Sequence, residues 1–170
     1  HMMVDASLLN TVNIISKEKT DLLSLIQGLH CGYITQATEQ RIDLLLTVDP
    51  GCENYFTSYN CDPVKIKQAL SNLIKNAFEA TKPGNYIHIH LSCLYEDNAS
   101  PNKLSLQVSN NGLPIPEDEI ETIFTPFVTY KKGGTGVGLA IVKKIVDLHY
   151  GTVTVTSDEN ATTFTILLPL

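Results

Sequence analysis

The sequence predicts an α+β sandwich of two layers, with helices packed on one face of a mixed sheet. Two observations carry this. Apolar residues recur at helical spacing in some stretches and alternate in others, and the stretches run in the order helices, strands, a long irregular loop, a helix and a final hairpin. At 170 residues with 43% hydrophobic content, the chain suits one domain with a single sizeable core.

The elements follow in order. Leu8, Leu9, Val12 and Ile15, then Leu22, Leu23, Leu25, Ile26 and Leu29, fall at spacings of three and four across the helix-forming residues 7–30. The polar run 16–20 interrupts them, so a short helix, a link and a second helix with Asp21 as N-cap are expected. Residues 41–48 read as a strand closed by Asp49-Pro50-Gly51, and a second short strand at 55–59 leads toward Asp62-Pro63. Asp62 then Pro63 starts a helix, because an oxygen-bearing cap precedes proline at the first helical position. Its apolar stripe is Ile66, Leu70, Leu73, Ile74 and Ala77, and Pro83-Gly84 ends it near Thr81. Strands at 86–94 and 104–109, a helix at 139–150, and strands at 152–156 and 162–168 complete the chain.

The formal net charge of −6 argues against a nucleic-acid groove, which needs a basic face. No apolar run is long enough to span a bilayer, so no direct membrane contact is expected of this domain. His1-Met2 reads as a cleaved-tag remnant. Cys31, Cys52, Cys61 and Cys93 have neither CxxC nor zinc spacing and are expected to be reduced thiols of a cytoplasmic domain. His88 and His90 alternate with Ile87 and Ile89, which predicts exposed-face residues rather than metal ligands.

Two constellations carry chemistry. Asn72 and Asn76 lie four apart on the helix after Pro63, so both amides share one face. Asparagine is a poor interior helix residue, and its amide oxygen is a hard neutral donor suited to Mg²⁺. Further on, Gly133-Gly134-Thr135-Gly136-Val137-Gly138-Leu139 opens a helix. Glycines let backbone approach a ligand, and the helix N-terminus behind them offers free N–H groups to a polyphosphate.

Between these stand Asn110-Asn111-Gly112-Leu113-Pro114-Ile115-Pro116 and Ile123-Phe124-Thr125-Pro126-Phe127. The order of the segments resembles the N, G1, F and G2 boxes of sensor histidine kinases, over about residues 17–170. These kinases belong to the GHKL group, whose nucleotide fold is the Bergerat fold. The resemblance implies ATP and Mg²⁺ as ligands. It makes Asn76 the Mg²⁺ ligand and puts Asn72 near the phosphates, with Lys75 and Lys131 in reach of phosphate. Asn72, Asn76 and Lys131 would be the catalytic set. Asn110 would accept a hydrogen bond from the adenine amino group, and Gly112 and Ile115 would line the base. Gly134, Thr135, Gly136, Val137, Gly138 and Leu139 would wrap the phosphates. Residues 113–134 would form a lid, with Phe124 and Phe127 as its apolar anchors.

Two departures matter. The family's G1 pattern is Asp-x-Gly-x-Gly, whereas Asn110 offers a neutral acceptor, weaker by about 1 kcal/mol, and Pro114 replaces the second glycine. Related ATPases of the fold carry Glu at the position of Asn72 as general base; an amide cannot take that proton, so kinase is favoured over hydrolase. None of the five histidines has the surroundings of a phosphoacceptor. The implied partners are therefore a separate dimerisation and phosphoacceptor helical domain, with residues 3–16 as the tail of its helix, and a response regulator. The full-length protein would be a homodimer. Two alternatives share the fold, a degenerate pseudokinase or interaction module and a serine kinase of the anti-sigma type.

Overall fold

Five strands form one mixed sheet in the computed structural model, which describes residues 14–97, 99–125 and 138–170. In chain order the elements are β1 (Glu18–Thr20), α1 (Leu22–Gln40), β2 (Asp43–Val48), α2 (Glu53–Phe56), β3 (Tyr59–Cys61) and α3 (Pro63–Ala80). There follow β4 (Tyr86–Tyr95), β5 (Pro101–Asn110), α4 (Glu117–Ile120), α5 (Gly138–Leu148), β6 (Thr152–Ser157) and β7 (Thr162–Pro169). The sheet order is β2-β4-β5-β7-β6, parallel only between β2 and β4, while β1 and β3 make a separate antiparallel pair. The short helix expected before residue 16 lies outside the described residues save for Ile14 and Ile15, which are not helical.

Strand alternation gives the sheet one apolar face. Ile87, Ile89, Leu91 and Cys93 of β4 are buried, as are Leu104, Leu106 and Val108 of β5 and Phe164, Ile166 and Leu168 of β7. The helices cover this face through Leu22, Ile26 and Leu29, then Ile66, Leu70, Leu73 and Ala77, then Ile141, Ile145 and Val146. Their stripes follow the 3.6-residue period, and most of their stability comes from this packing. Both predicted caps form: the Asp21 carboxylate accepts from Ser24 N and that of Asp62 from Lys65 N.

Four expectations are corrected. The polar run before Asp21 contains β1, a strand because β3 stands opposite it. The helix after Asp21 continues past Leu29 to Gln40, where Arg41 takes a left-handed conformation; Tyr33 extends its contact with α3, bonding Ser71 Oγ through its hydroxyl at 2.6 Å. The strand expected at 55–59 is the short helix α2 followed by β3, since Phe56 turns fully into the core rather than alternating. Cys52 and Cys93 are joined in a disulfide, leaving Cys31 and Cys61 free. Parallel pairing of Val48 with Leu91 carries the chain leaving β2 past Cys93, which no sequence spacing revealed.

On the open face, His88 and His90 are half-buried, each 2.6 Å from Thr47 Oγ1 through one ring nitrogen. Asp49 takes the other nitrogen of His90 at 3.1 Å. They are on the predicted face but less exposed than expected. Among the described residues no helix is long and apolar enough to cross a membrane.

Candidate functional site

α3 and α5 run antiparallel, and the two ends of α5 meet the middle and the start of α3. Asn72 Nδ2 donates to the carbonyl oxygen of Gly138, the first residue of α5, at 3.1 Å. At the other end, the backbone N–H of Asp62 donates to His149 Nε2 at 3.0 Å. The first contact brings the asparagine face of α3 to the N-terminus of α5, where backbone N–H groups lack intrahelical partners and the helix dipole favours negative charge. Asn72 and Asn76 are half-buried one turn apart, and Lys75 is exposed beside them.

The second wall is the last transverse row of the sheet's inner face. Register aligns Leu44, Ile87, Asn110, Thr162 and Ser157 across all five strands. The next row is Leu46, Ile89, Val108, Phe164 and Val155, apolar throughout. Polar groups therefore enter the inner face at this row. Asn110 is only 2% exposed, and its Nδ2 is the buried side-chain atom without a hydrogen-bond partner among the described residues. An unmet buried donor costs about 1–3 kcal/mol, so a site that tolerates one has a reason outside folding. Ser157 Oγ lies 2.6 Å from Thr162 Oγ1 and accepts from Ile115 N at 2.8 Å, which ties the start of the irregular segment to this row.

Gly112 joins the walls. A Cβ there would lie 1.9 Å from the carbonyl oxygen of Ala80 and 2.9 Å from Thr81 Cα, so glycine alone lets the chain leaving β5 pass the end of α3. Leu113 N donates to that same oxygen at 3.1 Å. Asn111 serves the backbone, its Oδ1 accepting from Tyr86 N at 2.8 Å. Beyond it the irregular segment contains the short helix α4, and Phe124 packs edge-on against Phe164 with ring centroids 6.0 Å apart.

Of the residues singled out from the sequence, Asn72, Lys75 and Asn76 thus stand on one helix segment and Gly138 and Leu139 at the helix facing it. Asn110, Gly112 and Ile115 gather at the sheet row and the end of α3. Lys131, Gly134, Thr135, Gly136 and Val137 lie outside the described residues, as does Phe127. Sequence reading missed Ser157 and Thr162. A signal existed: Thr162 is in phase with Phe164, Ile166 and Leu168, and Ser157 with Val153 and Val155, polar residues on an otherwise apolar phase.

Comparison with known proteins identifies the family and the fold. Residues 61–170 match the family described as histidine kinase-, DNA gyrase B-, and HSP90-like ATPase. The chain belongs to that family. Within it, the chain is similar to sensor histidine kinases. It is 39% identical to CusS of Escherichia coli O157:H7 over 134 residues, covering 73% of this chain and 27% of CusS. It is 39% identical to ZraS of Escherichia coli K12 over 157 residues, covering 92% of this chain and 32% of ZraS. The catalytic domain of histidine kinase ThkA superposes with a TM-score of 0.78 at 33% identity, covering 91% of this chain and 98% of that domain. ThkA in complex with the response regulator protein TrrA also matches, with a TM-score of 0.75 at 28% identity, covering 98% of this chain and 48% of that one. The chain spans about a quarter to a third of the curated relatives' length and corresponds to the histidine-kinase ATPase catalytic domain, with its α+β GHKL fold.

Proposed function

We propose that this domain, residues 17–170, binds ATP with Mg²⁺ and transfers the γ-phosphoryl group to a histidine on a separate helical dimerisation domain, for onward transfer to a response-regulator aspartate. The observation that carries the reading is the bond from Asn72 to Gly138, which sets the two-asparagine face of α3 against the head of α5. A polyphosphate lying beside this contact would meet the N–H groups of the helix head and amide side chains, with Lys75 and Lys131 supplying positive charge. Asn76 fits a divalent cation as a neutral oxygen donor, the phosphates completing the shell; such an ion would offset charge on the transferring group. Gly134, Thr135, Gly136, Val137 and Leu139 would enclose the phosphates beside Gly138, while Asn110, Gly112 and Ile115 hold the base.

In the transfer, an imidazole nitrogen bonds to the γ-phosphorus and the bond from phosphorus to the bridging oxygen breaks, ADP keeping the electron pair. Neutral imidazole is already a nucleophile, so no general base is needed and Asn72 orients rather than deprotonates. The nucleotide-binding half is supported by the family and by the unpartnered Asn110 amide. A response regulator as partner is supported by the ThkA–TrrA complex, and the phosphoacceptor domain and homodimer rest on the resemblance alone.

Calorimetric titration with a non-hydrolysable ATP analogue, with and without Mg²⁺, tests the binding. Saturable binding that strengthens with Mg²⁺ and weakens at least tenfold in Asn76→Ala is expected. Absence of binding at millimolar nucleotide would remove the proposal and favour an interaction module of the same fold.

A further inference from the structure

Asn110 holds a donor that a carboxylate at the same place would lack. Its backbone is fixed in the sheet between Ile87 and Thr162, its side chain is buried, and Nδ2 has no partner. The neighbouring hydroxyls of Ser157 and Thr162 are engaged with each other at 2.6 Å and with Ile115 N. Gly112, two residues on, is wedged against the end of α3. Asn110 thus sits on rigid backbone with one end of its carboxamide unused.

Hydrogen-bond inventory decides what such a group can read. A carboxylate only accepts, so it suits the 6-amino group of adenine and is repelled by the 6-oxo group of hypoxanthine or guanine. A carboxamide accepts at one end and donates at the other. Opposite adenine, Oδ1 accepts from the amino group and Nδ2 donates to ring N1. Opposite a 6-oxopurine, half a turn about the terminal torsion lets Nδ2 donate to O6 while Oδ1 accepts from N1–H. That torsion is broad and roughly two-fold, so both orientations suit one backbone.

We propose that Asn110 pairs with the base through both ends of its carboxamide, and that the site therefore admits 6-oxopurine nucleotides alongside adenine nucleotides. This rests on the nucleotide reading above and adds to it which purines the site takes.

Competition binding at saturating Mg²⁺ compares ATP, 1-deaza-ATP and ITP on the wild-type chain and Asn110→Asp. ITP lacks the 2-amino group of guanine, so it tests the paired edge without testing space at C2. Wild type is expected to bind ITP within about tenfold of ATP and to lose about tenfold on 1-deaza-ATP, which removes the N1 acceptor. Asn110→Asp is expected to tighten ATP several-fold, to be insensitive to the deaza change, and to reject ITP by at least a further tenfold. Wild type that rejects ITP a hundredfold, or binds 1-deaza-ATP as well as ATP, overturns the proposal. Since both criteria use the wild-type chain, they hold even where the variant does not fold. Binding of ATP with rejection of ITP overturns only this inference, whereas binding of neither nucleotide overturns the nucleotide reading too.

Discussion

The two ends of α3 are built on opposite rules. At its N-terminal end all four polar atoms of Asp62 are used: Oδ1 accepts from Lys65 N, Oδ2 from Ser16 N, the carbonyl from Ile66 N, and the amide donates to His149. His149 is in turn saturated, because Nε2 accepts from that amide and Nδ1 is left to donate to the Ile145 carbonyl at 2.8 Å. Along its C-terminal half stand the half-buried Asn72 and Asn76, at its end the wedged Gly112 and, on the adjoining sheet row, Asn110 with its unpartnered Nδ2. A satisfied buried network holds helices together, while the unmet Asn110 donor leaves binding capacity for a ligand. The comparison separates residues that should govern folding from those that should govern nucleotide binding.

The strongest way to break that separation is Gly112→Ala, since the added carbon would collide with backbone at the seam of both functions. We expect a loss of about 3 kcal/mol in urea unfolding together with at least tenfold weaker nucleotide binding. Unchanged stability would mean the seam yields easily. Next in size is Asp62→Ala, which removes the cap of α3 and the acceptor of Ser16 N. A loss of about 2 kcal/mol is expected, with ATP affinity unchanged within about twofold at a temperature where the variant stays folded. A large affinity loss there would blur the two ends.

The pH dependence sharpens the comparison further. Burial pushes His149 below its ordinary value near 6.5, and burial, with the charge of His90, lowers His88. The unfolded chain takes up protons as pH falls through about 6.5 while the native state resists, so this stability is present above 6.5 and lost progressively below it. His149→Gln, which can keep one acceptor and one donor, should flatten the slope between pH 7 and 5, leaving the part due to His88. Thermal melts across that range would show it, and an unaltered slope would assign the effect elsewhere. The smallest stability change is expected from Asn72→Ala, at most about 1 kcal/mol, because its bond to Gly138 is solvent-exposed. Its nucleotide affinity should nonetheless fall about tenfold by calorimetry; equal affinity would detach that face from the phosphates.

Much of this was legible before any coordinates. The cap-and-proline start at Asp62-Pro63, the alternation in β4, β5 and β7, and the stripe of α3 are local signals, acting within a few residues. The motif order was equally legible, because catalysis needs particular side chains at particular offsets along one segment. Chain order alone thus carried the α+β class, the candidate residues Asn72, Asn76, Asn110 and Gly112, and the family. What it left undecided were relations across the sheet and between helices. The row joining Asn110 to Thr162 and Ser157, the Asp62–His149 clamp, the pairing of Cys52 with Cys93 and the full length of α1 belong to that class. Each depends on strand register or on packing between residues far apart in the chain. Propensity and periodicity sense neighbours along the chain, whereas those partners become neighbours only when burial of the shared apolar face fixes register and helix placement.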